Sequence, residues 1–167
     1  MSSDIRLATS ADIPAIMHIY NQAVAMEGAT AHTSPVSEAE RHAWLAAHDP
    51  QHYPVYVAGR DGVVVAYCSL SAYRPGRMAL WHTAEISYYV HEDWRGQGVG
   101  SELIAYTIKQ CPQLDVKTLF AILLDINSDS VGILQKFGFS QWGHLPDVAE
   151  FNGRECGHLY YGLRVSD

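Results

Sequence analysis

No run of 18 or more apolar residues occurs in these 167 residues, so no membrane-spanning helix is expected. The N-terminus lacks a basic, then apolar, then small-residue order, and no secretory leader is expected. Cysteine is scarce. Cys68, Cys111 and Cys156 lie far apart and no C-x-x-C occurs, which speaks against a disulfide framework and a cysteine zinc site. A reducing cytoplasm with three buried or half-buried thiols is the expected setting. Nine histidines are present, yet no H-E-x-x-H spacing joins them, and no metal site is expected. Gly-Lys-Ser and Gly-Lys-Thr are missing, which removes the nucleoside-triphosphate P-loop. Positive charge is in the minority. The net charge of −7 argues against non-specific nucleic-acid binding and still allows a locally positive pocket. Repeats, linkers and low-complexity tracts are also missing, so the chain reads as one domain, 1–167.

The elements are well punctuated. Ile5–Leu7 is a short strand. Thr9-Ser10 with Asp12 and Pro14 suits a helix start, and the apolar face Ile16, Ile19, Tyr20 and Val24 runs to Gly28. Residues 28–36 read as a loop. Ser37 with Glu40 is a capping box for a second helix carrying Trp44 and Leu45. Pro54–Ala58 and Val63–Leu70 flank Asp61-Gly62, a hairpin turn. Residues 73–80 are a loop, Trp81–Val90 a strand, and Val99 to about Gln110 a helix. Thr118–Leu124 is an uncharged, buried strand. Asn127 or Ser128 caps the next helix, which ends at Gly138. A strand over Phe139–His144, a polar loop with Pro146, Asn152 and Gly153, and a strand over His158–Val165 close the chain.

The most informative stretch joins a strand to a helix through Arg95-Gly96-Gln97-Gly98-Val99-Gly100. The first amides of a helix lack intrahelical partners, and the helix dipole adds partial positive charge there. Glycines let a bulky anion reach those amides, and Arg95 adds a fixed charge, so the unit suits a pyrophosphate. The dinucleotide fingerprint G-x-G-x-x-G does not fit the spacing. A plain tight turn is the bland alternative. The run does match the R/Q-x-x-G-x-G/A signature, and at this point the chain resembles the GNAT family of N-acetyltransferases.

The order of elements matches that family along essentially the whole chain. The resemblance implies a mixed α/β (α+β) fold: a mostly antiparallel sheet of six or seven strands with helices on both faces. It also implies a splay between the fourth and fifth strands that takes the pantetheine of acetyl-CoA. Within the family, several segments resemble the phosphinothricin and methionine sulfoximine acetyltransferases. They are Ile19-Tyr20-Asn21, Tyr53-Pro54-Val55, Tyr73-Arg74, His82-Thr83-Ala84-Glu85-Ile86-Ser87-Tyr88-Tyr89-Val90, Phe137-Gly138-Phe139 and Gly143-His144-Leu145. Gln135-Lys136-Phe137-Gly138-Phe139, Gly157-His158-Leu159-Tyr160 and the spacing of Arg74-Pro75-Gly76-Arg77 depart from that branch, all around the acceptor pocket.

The implied roles follow. Glu85 is the expected catalytic base, in an apolar strand where desolvation would raise its pKa; a glutamate bonded to a neighbouring strand or arginine is the alternative. The backbone of Tyr88, Tyr89 and Val90 would pair with pantetheine, with the amide of Tyr89 or Val90 as oxyanion donor. Arg95, Gly96, Gln97, Gly98, Val99, Gly100 and Ser101 would hold the pyrophosphate. Asn127 and Ser130 would contact pantetheine or a catalytic water, or simply cap a helix. Arg74 is the candidate for the acceptor's carboxylate, with Arg77 second. Tyr73 and His144 would line the acceptor site. Tyr20 and Trp44 are pocket walls or core. No tyrosine in Val131–Phe137 offers an acid for the leaving thiolate.

The expected activity is acetyl transfer to the amine of a small amino acid of the phosphinothricin or methionine sulfoximine type. The other acceptors considered are a protein N-terminus, a polyamine or an aminoglycoside. A non-catalytic acetyl-CoA-binding domain is the different class. A homodimer is implied by resemblance alone, and neither nucleic acid nor membrane is expected as a partner.

Overall fold

The computed structural model describes residues 2–167. Seven strands form one sheet in the order β1-β2-β3-β4-β5-β7-β6: β1 Asp4–Leu7, β2 Val55–Arg60, β3 Val63–Ala72, β4 Thr83–Val90, β5 Thr118–Leu124, β6 Ser140–Phe151 and β7 Arg154–Arg164. Four helices accompany it: α1 Ile13–Ala25, α2 Glu38–Ala46, α3 Val99–Gln110 and α4 Ser128–Lys136. Every neighbouring pair is antiparallel except β4 with β5. Among the described residues no helix is long and apolar enough to cross a membrane.

Local chemistry explains the helix ends. Glu40 N–H donates to Ser37 Oγ (3.1 Å) and Ser37 N–H to Glu40 Oε2 (2.6 Å), closing the capping box of α2. Asn127 Oδ1 accepts from Ser130 N–H (3.3 Å) at the start of α4. Asp61 and Gly62 both take positive φ between β2 and β3, as a two-residue hairpin turn requires.

Strand alternation sorts the core onto two faces. Ala66, Cys68 and Leu70 of β3 join Ala84 and Ile86 of β4 and Leu103 and Leu134 of α3 and α4. Val55, Val57 and Tyr67 on the opposite side pack under Ile16, Ile19 and Tyr20 of α1. Helices therefore cover both faces.

Three expectations change. β4 begins at Thr83, not Trp81, because Met78–Leu80 form a single 3-10 turn and Trp81 stacks on the buried ring of His52 at 3.9 Å. β6 does not stop at His144. It runs to Phe151 on the sheet edge, where Pro146 is tolerated and a register shift between Leu145 and Ala149 absorbs the extra residues. Asn152 and Gly153, both at positive φ, then make a tight hairpin, so β7 begins at Arg154 rather than His158.

Candidate functional site

The sheet stops bonding to itself between β4 and β5. The two pair only over Thr83–Glu85 with Thr118–Phe120, and then diverge. β4 keeps β3 as its partner from Ala84 to Val90. His91 N–H donates to Val65 O (2.8 Å). In an antiparallel pair the bonding direction alternates, so Tyr89 also faces β3, while the amides of Tyr88 and Val90 face the gap.

A cleft of about 680 Å³ opens at this gap. Tyr88, Tyr89 and Val90 line it from β4. Arg95, Gly96, Gly98, Val99, Gly100 and Ser101 line it from the turn and the first turn of α3, and Asn127 and Ser130 from the start of α4. These are all the cofactor residues expected from sequence except Gln97. Gln97 instead donates its side-chain amide to Asp93 O (3.2 Å) and accepts at its backbone O from Arg60 (3.4 Å). Ala23 of α1, with Met26 and Ala29 just beyond it, adds a wall that local sequence could not announce, because Met26 lies 69 residues from Arg95.

The turn is built for a large anion. Gly98 is the N-cap of α3 at φ 83°, a left-handed conformation that side chains resist, and nothing lies within 4 Å of where a Cβ would stand. The first helical bond runs from Glu102 N–H to Gly98 O (3.0 Å), leaving the amides of Val99, Gly100 and Ser101 without helical partners. Arg60 braces the turn from β2: it donates to Glu102 Oε2 (3.3 Å) and Ser3 Oγ (3.0 Å) as well as to Gln97 O. Arg95 donates from Nε to Val90 O (3.2 Å) and sets Nη1 against Met26 Sδ (2.7 Å), which ties the turn to the end of α1. Cleft volume, glycine conformation and free helix amides all fit the pyrophosphate and pantetheine of acetyl-CoA.

Glu85 is half-buried on β4, on the α1/α2 face. Burial alone raises its carboxyl above the usual carboxylate range. Among the described residues no side chain hydrogen-bonds or ion-pairs with it, so a glutamate occupied by a neighbouring arginine is not what the fold contains. Four residues along and on the same face, Tyr89 meets Tyr20 edge-on at 5.1 Å, and burial pushes its phenol far up. Tyr20 Oη is hydrogen-bonded to Thr30 Oγ1 (2.8 Å) and to His32 Nδ1, while the buried Arg41 guanidinium lies 4.1 Å over the Tyr20 ring and 4.7 Å over Trp44. Tyr20 and Trp44 are thus core packing that holds the loop after α1. Tyr88 turns its ring to the other face. Burial pushes its phenol up to about 12, with the Ser130 hydroxyl opposing the shift.

The acceptor candidates separate. Tyr73 stacks on Phe120 at 4.9 Å, and Phe120 is the register neighbour of Glu85, so Tyr73 is brought to the Glu85 side of the gap. Arg74 is exposed; its carbonyl accepts from Arg77 N–H (3.2 Å) in a tight turn, and Arg77 donates to Pro75 O (3.4 Å). His144 is not brought to Glu85. It pairs in register with Leu159, whose side chain packs on the α3/α4 face, and its Nε2 lies 3.2 Å from Asp125 Oδ2.

The family profile described as "Acetyltransferase (GNAT) family" matches residues 15–139. The chain belongs to that family. This acetyltransferase uses acetyl-CoA and is 36% identical over 155 residues to the L-methionine sulfoximine/L-methionine sulfone acetyltransferase of Pseudomonas aeruginosa, covering 92% of this chain and 90% of that one. It is 34% identical over 151 residues to the phosphinothricin N-acetyltransferase of Alcaligenes faecalis, covering 90% and 76%. The crystal structure of a phosphinothricin acetyltransferase from Sinorhizobium meliloti in complex with AcCoA matches with a TM-score of 0.93 at 27% identity, over 99% of this chain and 90% of that chain.

Proposed function

We propose that this acetyltransferase moves an acetyl group from acetyl-CoA to the amine of a small amino acid of the phosphinothricin or methionine sulfoximine type. The carrying observation is the unpaired, half-buried Glu85 on the strand that lines the cleft, at the last step before β4 and β5 part. The names of the similar proteins support the acceptor class.

Acetyl-CoA, when bound, supplies the activated acyl group. The amides of Val99, Gly100 and Ser101, with Arg95, hold the pyrophosphate. The Val90 amide, free of the β-ladder, donates to the oxygen on which negative charge develops. Glu85 takes the proton of the attacking amine, directly or through water, and burial makes it a stronger base than an ordinary carboxylate. Arg74 takes the acceptor's carboxylate in a bidentate pair and Tyr73 walls the pocket. His144 has a structural part beside Asp125.

The reading includes one domain over 1–167 and a cytoplasmic homodimer. Three free, buried cysteines support a reducing compartment. The exposed Leu145 and Val148 on edge strand β6 support a second copy, and the net charge of −7 supports a small-molecule acceptor over nucleic acid.

Thiol release from acetyl-CoA tests the reading. The amine panel holds methionine sulfoximine, phosphinothricin, ordinary amino acids, a polyamine and an N-terminal peptide. Release with an amino acid, lost in Glu85→Gln and weakened in Arg74→Ala, is the expected result. Release confined to the peptide or the polyamine overturns the acceptor class.

A further inference from the structure

One side of α4 runs along the acetyl-CoA cleft. Asn127, Ser130, Ile133 and Lys136 all line it, each three residues after the last, so they form a single row on the helix surface. Two contacts fix the direction of that row. Ser130, near its start, sets its hydroxyl against the Tyr88 phenol of β4. Ile133, in its middle, lies over the first turn of α3: its Cδ1 is 3.5 Å from where a Cβ on Gly100 would stand. α4 thus travels from the strand that pairs with pantetheine to the turn that holds the pyrophosphate. Lys136 is its last residue and lies one turn further on. At 1.5 Å per residue that is about 9 Å along the axis from Ser130, beyond the pyrophosphate turn and away from the gap. The part of acetyl-CoA on that side of the pyrophosphate is the adenosine with its 3′-phosphate.

Charge agrees with this placement. The chain has 11 Lys and Arg against 18 Asp and Glu, so a cation in the cleft is not a matter of abundance. Among the described residues that line the cleft, Arg95 and Lys136 alone are cationic. Arg95 is tied to Val90 O and Met26 Sδ at the glycine turn. Lys136 is exposed and, among the described residues, forms no ion pair. The one carboxylate of the lining, Asp129, stands at the opposite end of α4, about 10 Å away along the axis, and does not neutralise it. A lysine in the last turn also complements the helix dipole, and that service is indifferent to any ligand.

We propose that Lys136 binds the ribose 3′-phosphate of the coenzyme and so makes the enzyme selective for an acetyl donor that carries this phosphate. The inference rests on acetyl-CoA as the donor and is independent of the acceptor. An ammonium on a flexible stem pairs with a phosphate dianion as a point charge, without a fixed fork geometry. The pair is open to water, so its contribution is modest and falls with salt. Arg95 and the amides of Val99, Gly100 and Ser101 hold the pyrophosphate whether or not Lys136 is engaged, so losing the lysine weakens binding without abolishing it. The consequence is a preference for the free coenzyme over thioesters that lack the 3′-phosphate, such as the dephospho-coenzyme or an acetylated pantetheine arm on a carrier protein.

The test is calorimetric titration of the full chain with coenzyme A and with 3′-dephospho-coenzyme A, which needs no acceptor. At low salt the unaltered protein binds coenzyme A about fivefold more tightly than the dephospho form, the upper end for an exposed ion pair. Lys136→Gln weakens coenzyme A by the same factor and leaves the dephospho form unchanged, so the ratio falls to about one. Lys136→Arg keeps the ratio. Raising the salt to about 0.5 M closes it in the unaltered protein. Equal affinity for the two coenzymes in the unaltered protein overturns the proposal, as does a ratio that survives in Lys136→Gln. Equal weakening of both coenzymes by Lys136→Gln also overturns it and leaves the lysine to the helix dipole. Binding of neither coenzyme by the unaltered protein overturns the donor site, and Lys136 with it. The acceptor assignment stands or falls separately, on thiol release with the amine panel.

Discussion

Glu85 stands next to Phe120 across the parallel strand pair of the sheet, in the last register step before β4 and β5 part. That position joins a carboxylate without a side-chain partner among the described residues to the edge of an aromatic surface, on the strand whose far end lines the cleft. Upstream of this step the strands are bonded and closed. Downstream, β4 amides are free and the cleft begins.

Replacing Glu85 by Gln is expected to lower turnover by about 100-fold or more, the usual worth of a positioned base. The same change is expected not to destabilise the fold. Burial holds the Glu85 carboxyl above its ordinary range, so the folded state binds the proton more tightly than the unfolded state. Stability therefore falls as pH rises from the ordinary carboxylate range through the raised value. The glutamine variant lacks that decline, which urea unfolding at pH 4 and pH 7 would reveal.

Gly98→Ala places a side chain at φ 83°, at a conformational cost of about 1–2 kcal/mol. No neighbour obstructs the new methyl, so the fold should survive. The first amides of α3 should lose their aim, and KM for acetyl-CoA should rise several-fold while KM for the amine changes little. Varying each substrate separately checks this split.

Arg60 touches neither substrate and bonds Gln97 O, Glu102 and Ser3. Arg60→Met should loosen the glycine turn, raise KM for acetyl-CoA and spare kcat at saturation. It leaves Glu102 short of a charged partner, and the expected loss of stability is about 1.5–3 kcal/mol. Thermal unfolding with and without coenzyme A separates the two effects.

Arg6 donates two bonds to Asp12, at 2.7 and 2.8 Å, and these hold the Asp12 carboxyl below its ordinary range against the opposing effect of burial. A depressed pKa adds stability above the ordinary carboxylate value, and that stability is lost as pH falls through the folded value. Asp12→Asn should cost about 1.5–3 kcal/mol at pH 7 and flatten part of the acid limb of the stability curve.

Much of this protein was legible in its residues because the relevant physics is local. A capping box, an Asp-Gly hairpin, an apolar strand and three glycines before a helix act over four to eight residues, and each appears in the fold where its residues stand. The run Tyr88 to Ser101 is one such unit, and all its expected residues but Gln97 line one cleft. Glu85 lies three residues before that run, on the same strand. The long β6–β7 hairpin was harder. Pro146 and Asn152-Gly153 read as breakers, but an edge strand with a register shift accommodates a proline that a central strand would reject.

The sequence alone determined the order of elements, the anion-binding turn and the identity of the candidate base. Tertiary structure decided what surrounds that base. Tyr73, Phe120, Trp142 and Tyr160 are spread over almost 90 residues and meet only because β3, β5, β7 and β6 are brought to one side of the gap. His144 was sent to the opposite face by a register set across the β6 shift, since one residue of slip exchanges the faces of a strand. No local pattern carries either outcome. Both depend on which strands become neighbours and in what register, and that is settled by the burial of the whole sheet.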